Sequence, residues 1–530
     1  QFQKIYLDSY LQEISASGES YPLARKRLHS LINTGMFMLN FTGHAGPVGW
    51  TNEQILSTND VTKMFNKKLP IWIAATCDFV LFDVKDISAG EFVMLNPVGG
   101  GIGIFSAART VYAAQNERIN RFFTIDLFEK KNGQYPRLGD AVRKAKNQIS
   151  SEINKLTYVL LGDPALRLNY PDEYKVVTEK INGNNVQPTD TLRALSVNTV
   201  QGYITDMNGS KVTDFNGLVE ITIYDKKQNI TTLNNHNEPK GAFTYQDRPN
   251  ILYSGKAQVS GGEFSFKFMM PRDIRYNFDT GRINYYANDT ITGKEGQGYY
   301  EKFIVGGGSA THTDYETDGP TINMYLNTPS FTNGGKVNET PLFVAHIFDI
   351  NGINTVGSGI GHDLRLVIDS DSYSSYTLNE NFEAEPNSYQ AGRVQIKLPE
   401  MSPGKHTLTF HAWDLLNNSS QDTLEFEVVQ GLEPIIFSVR NYPNPAKVET
   451  SFVVDHDRPE VILETKVEVF DLAGRLIFTK EQKSADNLKW DLKDSTGNRV
   501  RPGLYIYNIS AKKTNSEFAS KANKNVVLAQ

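Results

Sequence analysis

Two stretches decide how this chain folds: Met36-Phe37-Met38-Leu39-Asn40-Phe41-Thr42-Gly43-His44-Ala45-Gly46 and Ile71-Trp72-Ile73-Ala74-Ala75-Thr76-Cys77-Asp78. Each begins as a short, mostly apolar run and breaks off into small or polar residues, which suits a strand buried on both faces. A third run, Gly103-Ile104-Phe105-Ser106, is similar. Helical segments separate them. Pro22 suits the first turn of a helix, Leu23, Leu28, Leu31 and Ile32 recur at helical spacing, and Gly35 ends the segment. Glu117 to Lys130 and Leu138 to Ile153 read as further helices, and Phe2 to Leu7 as one more short strand. Residues 1–170 are therefore expected to form an α/β domain, a parallel sheet with helices on both faces.

The ends of the two deciding runs carry the chemistry. In open α/β sheets functional groups gather beyond the carboxyl ends of the strands, so His44 and Cys77 would face one crevice if their strands are neighbours. Cys77 is the only cysteine of the chain. It cannot form an internal disulfide, and a nearby imidazole would favour its thiolate. Gly43 and Gly46 flank the histidine and permit a tight turn. Backbone N–H groups near Gly46 and at Cys77 are candidates for an oxyanion hole, where one donor contributes about 2.7–4 kcal/mol to the barrier. A plainer reading stays open on the residues alone: a lone cysteine is often a small buried hydrophobe, and a lone histidine after a strand a satisfied loop residue. Asp78 is a weak candidate to orient His44. Glu91 and Arg109 are candidates for a cleft wall or, as the plainer role, for surface salt bridges.

After Tyr170 helical periodicity gives way to alternation, as in Leu218-Val219-Glu220-Ile221-Thr222-Ile223-Tyr224, between clusters of Asn, Gly and Asp. We expect all-β sandwich units over residues 171–319, 320–432 and 433–530, with a Gly/Ser/Thr-rich linker from Gly306 to Gly319. The whole chain of 530 residues is long enough for roughly three or four domains. Its net charge of −6 and lack of a Lys/Arg run argue against non-specific nucleic-acid binding. No run of about 18 apolar residues is present to span a membrane as a helix. No signal peptide is visible, and Gln1 opens mid-pattern, as in a processed or truncated chain. The scarcity of cysteine fits an extracytoplasmic bacterial protein.

Other motifs offer less. Asp349-Ile350-Asn351-Gly352-Ile353-Asn354 misses the EF-hand pattern and reads as a solvated turn, as does Asp369-Ser370-Asp371. His236, His312, His346, His362, His406, His411 and His456 are scattered without a zinc pattern. Gly99-Gly100-Gly101-Ile102-Gly103 precedes a strand, unlike a phosphate loop, and reads as a close-packed turn near the active site. Ala412-Trp413-Asp414-Leu415-Leu416-Asn417-Asn418 and Val469-Phe470-Asp471-Leu472-Ala473-Gly474 both read as a strand entering an Asp turn.

The strand closing on His44 with Gly46 close behind, followed by the strand closing on Cys77, resembles the clan of cysteine peptidases that includes caspases, legumains and gingipains. Leu160-Leu161-Gly162-Asp163-Pro164-Ala165-Leu166 is similar to the segment closing a gingipain-family catalytic domain. Tyr442-Pro443-Asn444-Pro445, Val469 to Gly474 and Gly503-Leu504-Tyr505-Ile506-Tyr507 resemble the C-terminal sorting domain of type IX secretion cargo. End to end, the chain resembles the sortase family of that system.

The resemblance implies a caspase-like α/β domain whose first strands and specificity pocket lie upstream of Gln1, followed by immunoglobulin-like sandwiches and a sorting-type sandwich. It implies Cys77 as nucleophile, His44 as general base, and backbone N–H groups of Ala45, Gly46 and Cys77 as oxyanion hole, with no metal or cofactor. Ala45 between His44 and Gly46 departs from the family's usual His-Gly. The implied reaction is removal of a cargo's sorting domain through a thioester, then transfer to an anionic lipopolysaccharide on the outer face of the outer membrane. The implied partners are sorting-domain cargo, the outer-membrane barrel PorV, and the attachment subunits PorQ and PorZ. The C-terminal unit, which ends rich in lysine (Lys512, Lys513, Lys521, Lys524), would then dock on the barrel rather than merely stabilise the chain. A secreted gingipain-type endopeptidase and an inactive adhesin or scaffold remain as alternatives.

Overall fold

The structure is a computed structural model that describes residues 2–16, 18–64, 66, 68–150, 152–308, 316–355, 362–370, 375–458, 463–483, 487–513 and 520–529. Side chains are described for these residues apart from 380, 513 and 520–529. Four strands make the first sheet: β1 (Met38–Thr42), β2 (Ile71–Ala75), β3 (Gly103–Ala107) and β4 (Tyr158–Gly162), in that spatial order. The first three run parallel, and β4 closes the edge antiparallel.

Every residue of β2 and β3 is buried, which is why these runs are apolar throughout instead of alternating. Their side chains still divide by period two. Trp72, Ala74 and Ile104 pack into a layer with Ala24, Leu28, Ile32, Val61 and Val93. Ile71, Ile73 and Phe105 pack on the other face with Ile119, Phe123, Leu127, Leu138, Ala141 and Ala145. The first layer draws on helices α1 (Pro22–Thr34), α2 (Thr58–Thr62) and α3 (Ala89–Leu95), the second on α4 (Ala113–Leu127) and α5 (Leu138–Asn147). Ser57 with Asp60 and Ser88 with Glu91 form reciprocal capping boxes at the starts of α2 and α3. The Glu91 carboxylate thus serves as a cap for α3.

The rest is all-β. An eight-strand sheet between Tyr174 and Tyr300 surrounds an apolar core and closes on itself where Tyr174 pairs with Gly296. Two facing sheets between Thr321 and Val428 enclose a second core, and two more between Ile436 and Ala529 a third. Asp414 and Asp471 each accept two backbone N–H groups of the turn that follows them, as the repeated strand-to-Asp pattern predicts. The α/β domain is therefore followed by all-β units, as expected. Among the described residues no helix is long and apolar enough to cross a membrane.

Several expectations are corrected. Phe2 to Leu7 is not a strand; it lies along the hairpin Gln228–Thr231/Thr244–Asp247, with Tyr6 against Phe243 and Tyr245 and Lys4 Nζ donating to the Gln246 carbonyl at 2.7 Å. The helix expected over Leu138 to Ile153 stops at Asn147, and α6 (Glu152–Thr157) follows. Gly306 to Gly308 belong to a strand, Ile304–Gly308, not a linker; residues 309–315, His312 among them, lie outside the described residues. The Gly99–Gly103 turn does pack closely, since a Cβ on Gly101 would stand 2.4 Å from Trp72. It leads into β3, however, at the edge opposite the strand ends that carry Cys77.

His29 of α1 sits 3.9 Å from Asp60, and burial holds its imidazole below the ordinary range, with Asp60 opposing in part. The folded state therefore binds this proton less readily than the unfolded chain. Stability carried by the neutral ring is present above the unfolded pKa of about 6.5 and is lost as pH falls below it. Denaturant unfolding at pH about 5 and about 8 should show that loss, and His29→Gln should reduce it. An unchanged difference in the variant would contradict this assignment.

Candidate active site

The register of the sheet sets the site. Thr42 of β1 lies opposite Ala75 of β2, and the Gly43 N–H reaches the Ala75 carbonyl at 3.4 Å. His44 and Cys77 each follow two residues beyond that pair, so they leave the sheet at one height on adjacent strands, about 4.8 Å apart in strand spacing.

Beyond His44 the chain folds into a small hairpin, Ala45–Gly46 with Gly49–Trp50. The Thr51 N–H donates to the His44 carbonyl at 2.9 Å, which makes Ala45–Trp50 a non-hydrogen-bonded pair. By the alternation of such a ladder the Ala45 N–H points away from the hairpin, and the Gly46 N–H points across it to Gly49. His44 itself is exposed. Beyond Cys77 the chain turns sharply: Asp78 has φ of 55°, and Phe79 and Val80 return to the core. Trp50 ties the two turns together. Its ring stacks on Phe41 at 4.1 Å and packs against Phe79 at 5.5 Å, so one buried side chain supports both the strand leading to His44 and the loop leaving Cys77.

On its other side Cys77 meets the segment after β3. Its Sγ lies 3.7 Å from the Val111 carbonyl and accepts the Val111 N–H at 3.5 Å. The Asp78 carboxylate accepts the Thr110 hydroxyl at 3.1 Å and so is turned toward β3, away from the strand of His44. Arg109 pairs with Asp83, the plainer of its two expected roles, and the hydrogen bond from the guanidinium holds the Asp83 carboxyl below the usual range. Burial, with Cys77 as a smaller contribution, raises the Tyr158 phenol above its ordinary range. Val111, Thr110, Tyr158 and Trp50 escaped the sequence reading. Val111 was open to the same rule that singled out Cys77, since it lies past the carboxyl end of the next parallel strand.

Comparison with known proteins bears on this unit directly. Residues 1–169 match the sequence model of Peptidase family C25. The α/β unit is thus the part of the chain that matches a peptidase family. Residues 440–521 match the secretion system C-terminal sorting domain. Among solved structures, dimeric latent PorU from Porphyromonas gingivalis is 29% identical over 98% of this chain and 47% of its own, with a TM-score of 0.35. The Arg-specific cysteine proteinase gingipain R is 16% identical over 53% of this chain and 56% of its own, with a TM-score of 0.26. The chain thus spans about half the length of either structure. No curated protein matches it.

Two groups among the described residues bring metal-ligand atoms within 4.8 Å of one another: Glu19 with Glu53 and His236, and Glu316 with Asp349 and Asp414. Neither includes Cys77 or His44. Asp349 is buried, which corrects its reading as a solvated turn, and burial pushes its carboxyl up to about 7. Asp369 binds the His406 ring at 2.7 Å, while Asp371 lies outside the described residues.

The hairpin makes a sharp distinction between its glycines. A Cβ on Gly46 would meet nothing within 4 Å, whereas one on Gly49 (φ 150°) would stand 2.1 Å from the Leu56 carbonyl. Gly46→Ala should therefore stay within about 0.5 kcal/mol of the parent protein. Gly49→Ala should cost about 1–3 kcal/mol and displace the turn that carries His44. Urea unfolding of both variants checks this, and equal losses would contradict the described hairpin.

Proposed function

We propose that this chain carries the working part of a cell-surface cysteine transpeptidase, a sortase that removes the C-terminal sorting domain of secreted cargo. The observation that carries the reading is the pairing of Thr42 with Ala75, which puts His44 and Cys77 at one height on adjacent strands of a family C25 domain. The sorting-type domain at residues 440–521 supports the secretion context.

In the proposed reaction the Cys77 thiolate attacks the carbonyl carbon of the peptide bond before the cargo's sorting domain. His44 takes the thiol proton and returns it to the departing amine. The Ala45 N–H, directed away from its hairpin, and the Cys77 N–H face the developing oxyanion; the Gly46 N–H, drawn toward Gly49, is the weaker candidate. The sorting domain leaves, and a thioester joins the cargo to Cys77. An amine then resolves the thioester and regenerates the thiol, whereas water in its place would give simple hydrolysis. We assign the acceptor amine to an anionic lipopolysaccharide, and the place of work to the outer face of the outer membrane. PorV is the proposed docking partner of the C-terminal unit, with PorQ and PorZ as further subunits of the attachment complex. Lys512 of that unit pairs with Glu464 at 3.1 Å, while the side chains of Lys513, Lys521 and Lys524 lie outside the described residues.

Mass spectrometry of sorting-domain cargo incubated with the protein and a small amine tests the proposal. Cargo shortened at the domain boundary and carrying the amine is expected with the parent protein and absent with Cys77→Ala, and His44→Ala should slow its formation at least about a hundredfold. Cutting with water alone would favour a gingipain-type endopeptidase. No Cys77-dependent product would overturn the enzymatic reading in favour of a scaffold.

A further inference from the structure

Behind the thiol lies a buried polar group of side chains that the proposed reaction does not use. Asn154 of α6 is completely buried. Its Oδ1 accepts the Tyr112 N–H at 3.1 Å, and its Nδ2 donates to the Tyr112 carbonyl, also at 3.1 Å. One amide thus engages both polar backbone groups of a single residue. Nδ2 also donates to Asn116 Oδ1 at 2.8 Å, and that oxygen accepts the Tyr158 hydroxyl at 2.9 Å. Asn116 and Tyr158 are buried as well.

Such a group is costly to bury unless its hydrogen bonds are made, and here they converge on one short segment. Tyr112 follows Val111, the residue whose backbone touches Cys77 Sγ from both its N–H and its carbonyl. In the order of the sheet, β2 stands between β1 and β3. The sulfur therefore has the turn of His44 on one side and the Val111 peptide on the other.

We propose that Asn154 is a positioning residue for Cys77: its bonds to Tyr112 hold the Val111 peptide against the sulfur. The inference rests on Cys77 as the nucleophile. An amide suits the position because its oxygen accepts from Tyr112 while its NH2 donates both to Tyr112 and to Asn116. A carboxylate would keep the acceptor and lose the donors, and an apolar side chain would leave the Tyr112 N–H unmet, although the Tyr112 carbonyl would still accept the Gln115 and Asn116 N–H groups.

The test is the rate at which iodoacetamide alkylates Cys77 in the full chain. Asn154→Asp, close in size, should lower that rate at least about tenfold, since small misplacements at a reacting atom have effects of this order or larger. With sorting-domain cargo the loss should fall on kcat and leave KM unchanged. Leu127→Ala, at the far end of α4, weakens the same core and should keep the parent rate. An unchanged or faster rate in Asn154→Asp, or an equal loss in Leu127→Ala, overturns the inference. A parent thiol that iodoacetamide does not modify removes the nucleophile, and this inference with it. Should Asn154→Asp fail to fold, hydrogen exchange of the parent protein decides. The Tyr112 amide should exchange as slowly as core amides of β3, and exchange as fast as that of exposed Thr110 would overturn the proposal.

Discussion

Parallel pairing of Met38–Thr42 with Ile71–Ala75 leaves little freedom in where the next residues go. Ile71–Ala75 is held between two apolar layers, while Met38–Thr42 turns Leu39 and Phe41 to one of them and leaves Asn40 and Thr42 exposed. A slip of one residue would move every side chain of a strand to the opposite face. Trp72 and Ala74 would then exchange layers with Ile71 and Ile73, which neither layer can accommodate. The register is therefore enforced by burial, and the height at which His44 and Cys77 leave the sheet is enforced with it. Chemistry that needs two side chains from distant parts of the sequence is supplied by a constraint whose origin is hydrophobic.

What lies past the strand ends is held by a few specific contacts. Trp50 sits between Phe41 and Phe79, so the histidine hairpin and the cysteine turn share one aromatic support. Asp78 takes a left-handed conformation that returns the chain to the core immediately after the thiol. On the far side, Thr110, Arg109 and Val111 lace the segment after β3 to the cysteine loop. The thiol is thus bordered by three successive parallel strands, in keeping with the general position of functional groups in open α/β sheets.

Much of this was legible in the sequence, because fully buried strands write themselves as uninterrupted apolar runs. Ile71–Ala75 is read without error, Gly103–Ala107 within one residue, and α1 from its proline to its terminal glycine. His44 and Cys77 were visible because they interrupt such runs at corresponding ends. Less local features were hidden. Phe2 to Leu7 is apolar for its contact with a hairpin of the next unit, not for a place in a sheet. Gly306 to Gly308 looked like a linker because a glycine-rich edge carries no side-chain pattern. Asn154 and Asn116 are ordinary helix residues by sequence, and their meaning depends on which backbone groups the fold brings to them. Asp349 looked solvated because its neighbours in sequence are polar, although Asp414 and Glu316 crowd it from distant segments.

The central claim is that Cys77, served by His44, forms a covalent bond to cargo. Intact-mass analysis of the protein mixed with sorting-domain cargo, quenched in acid with no amine present, tests it most directly. The account predicts an adduct equal to the cargo without its sorting domain, localised to Cys77 and discharged by hydroxylamine as a thioester is. An absence of adduct while cargo is cut, or an adduct on another residue, would contradict it.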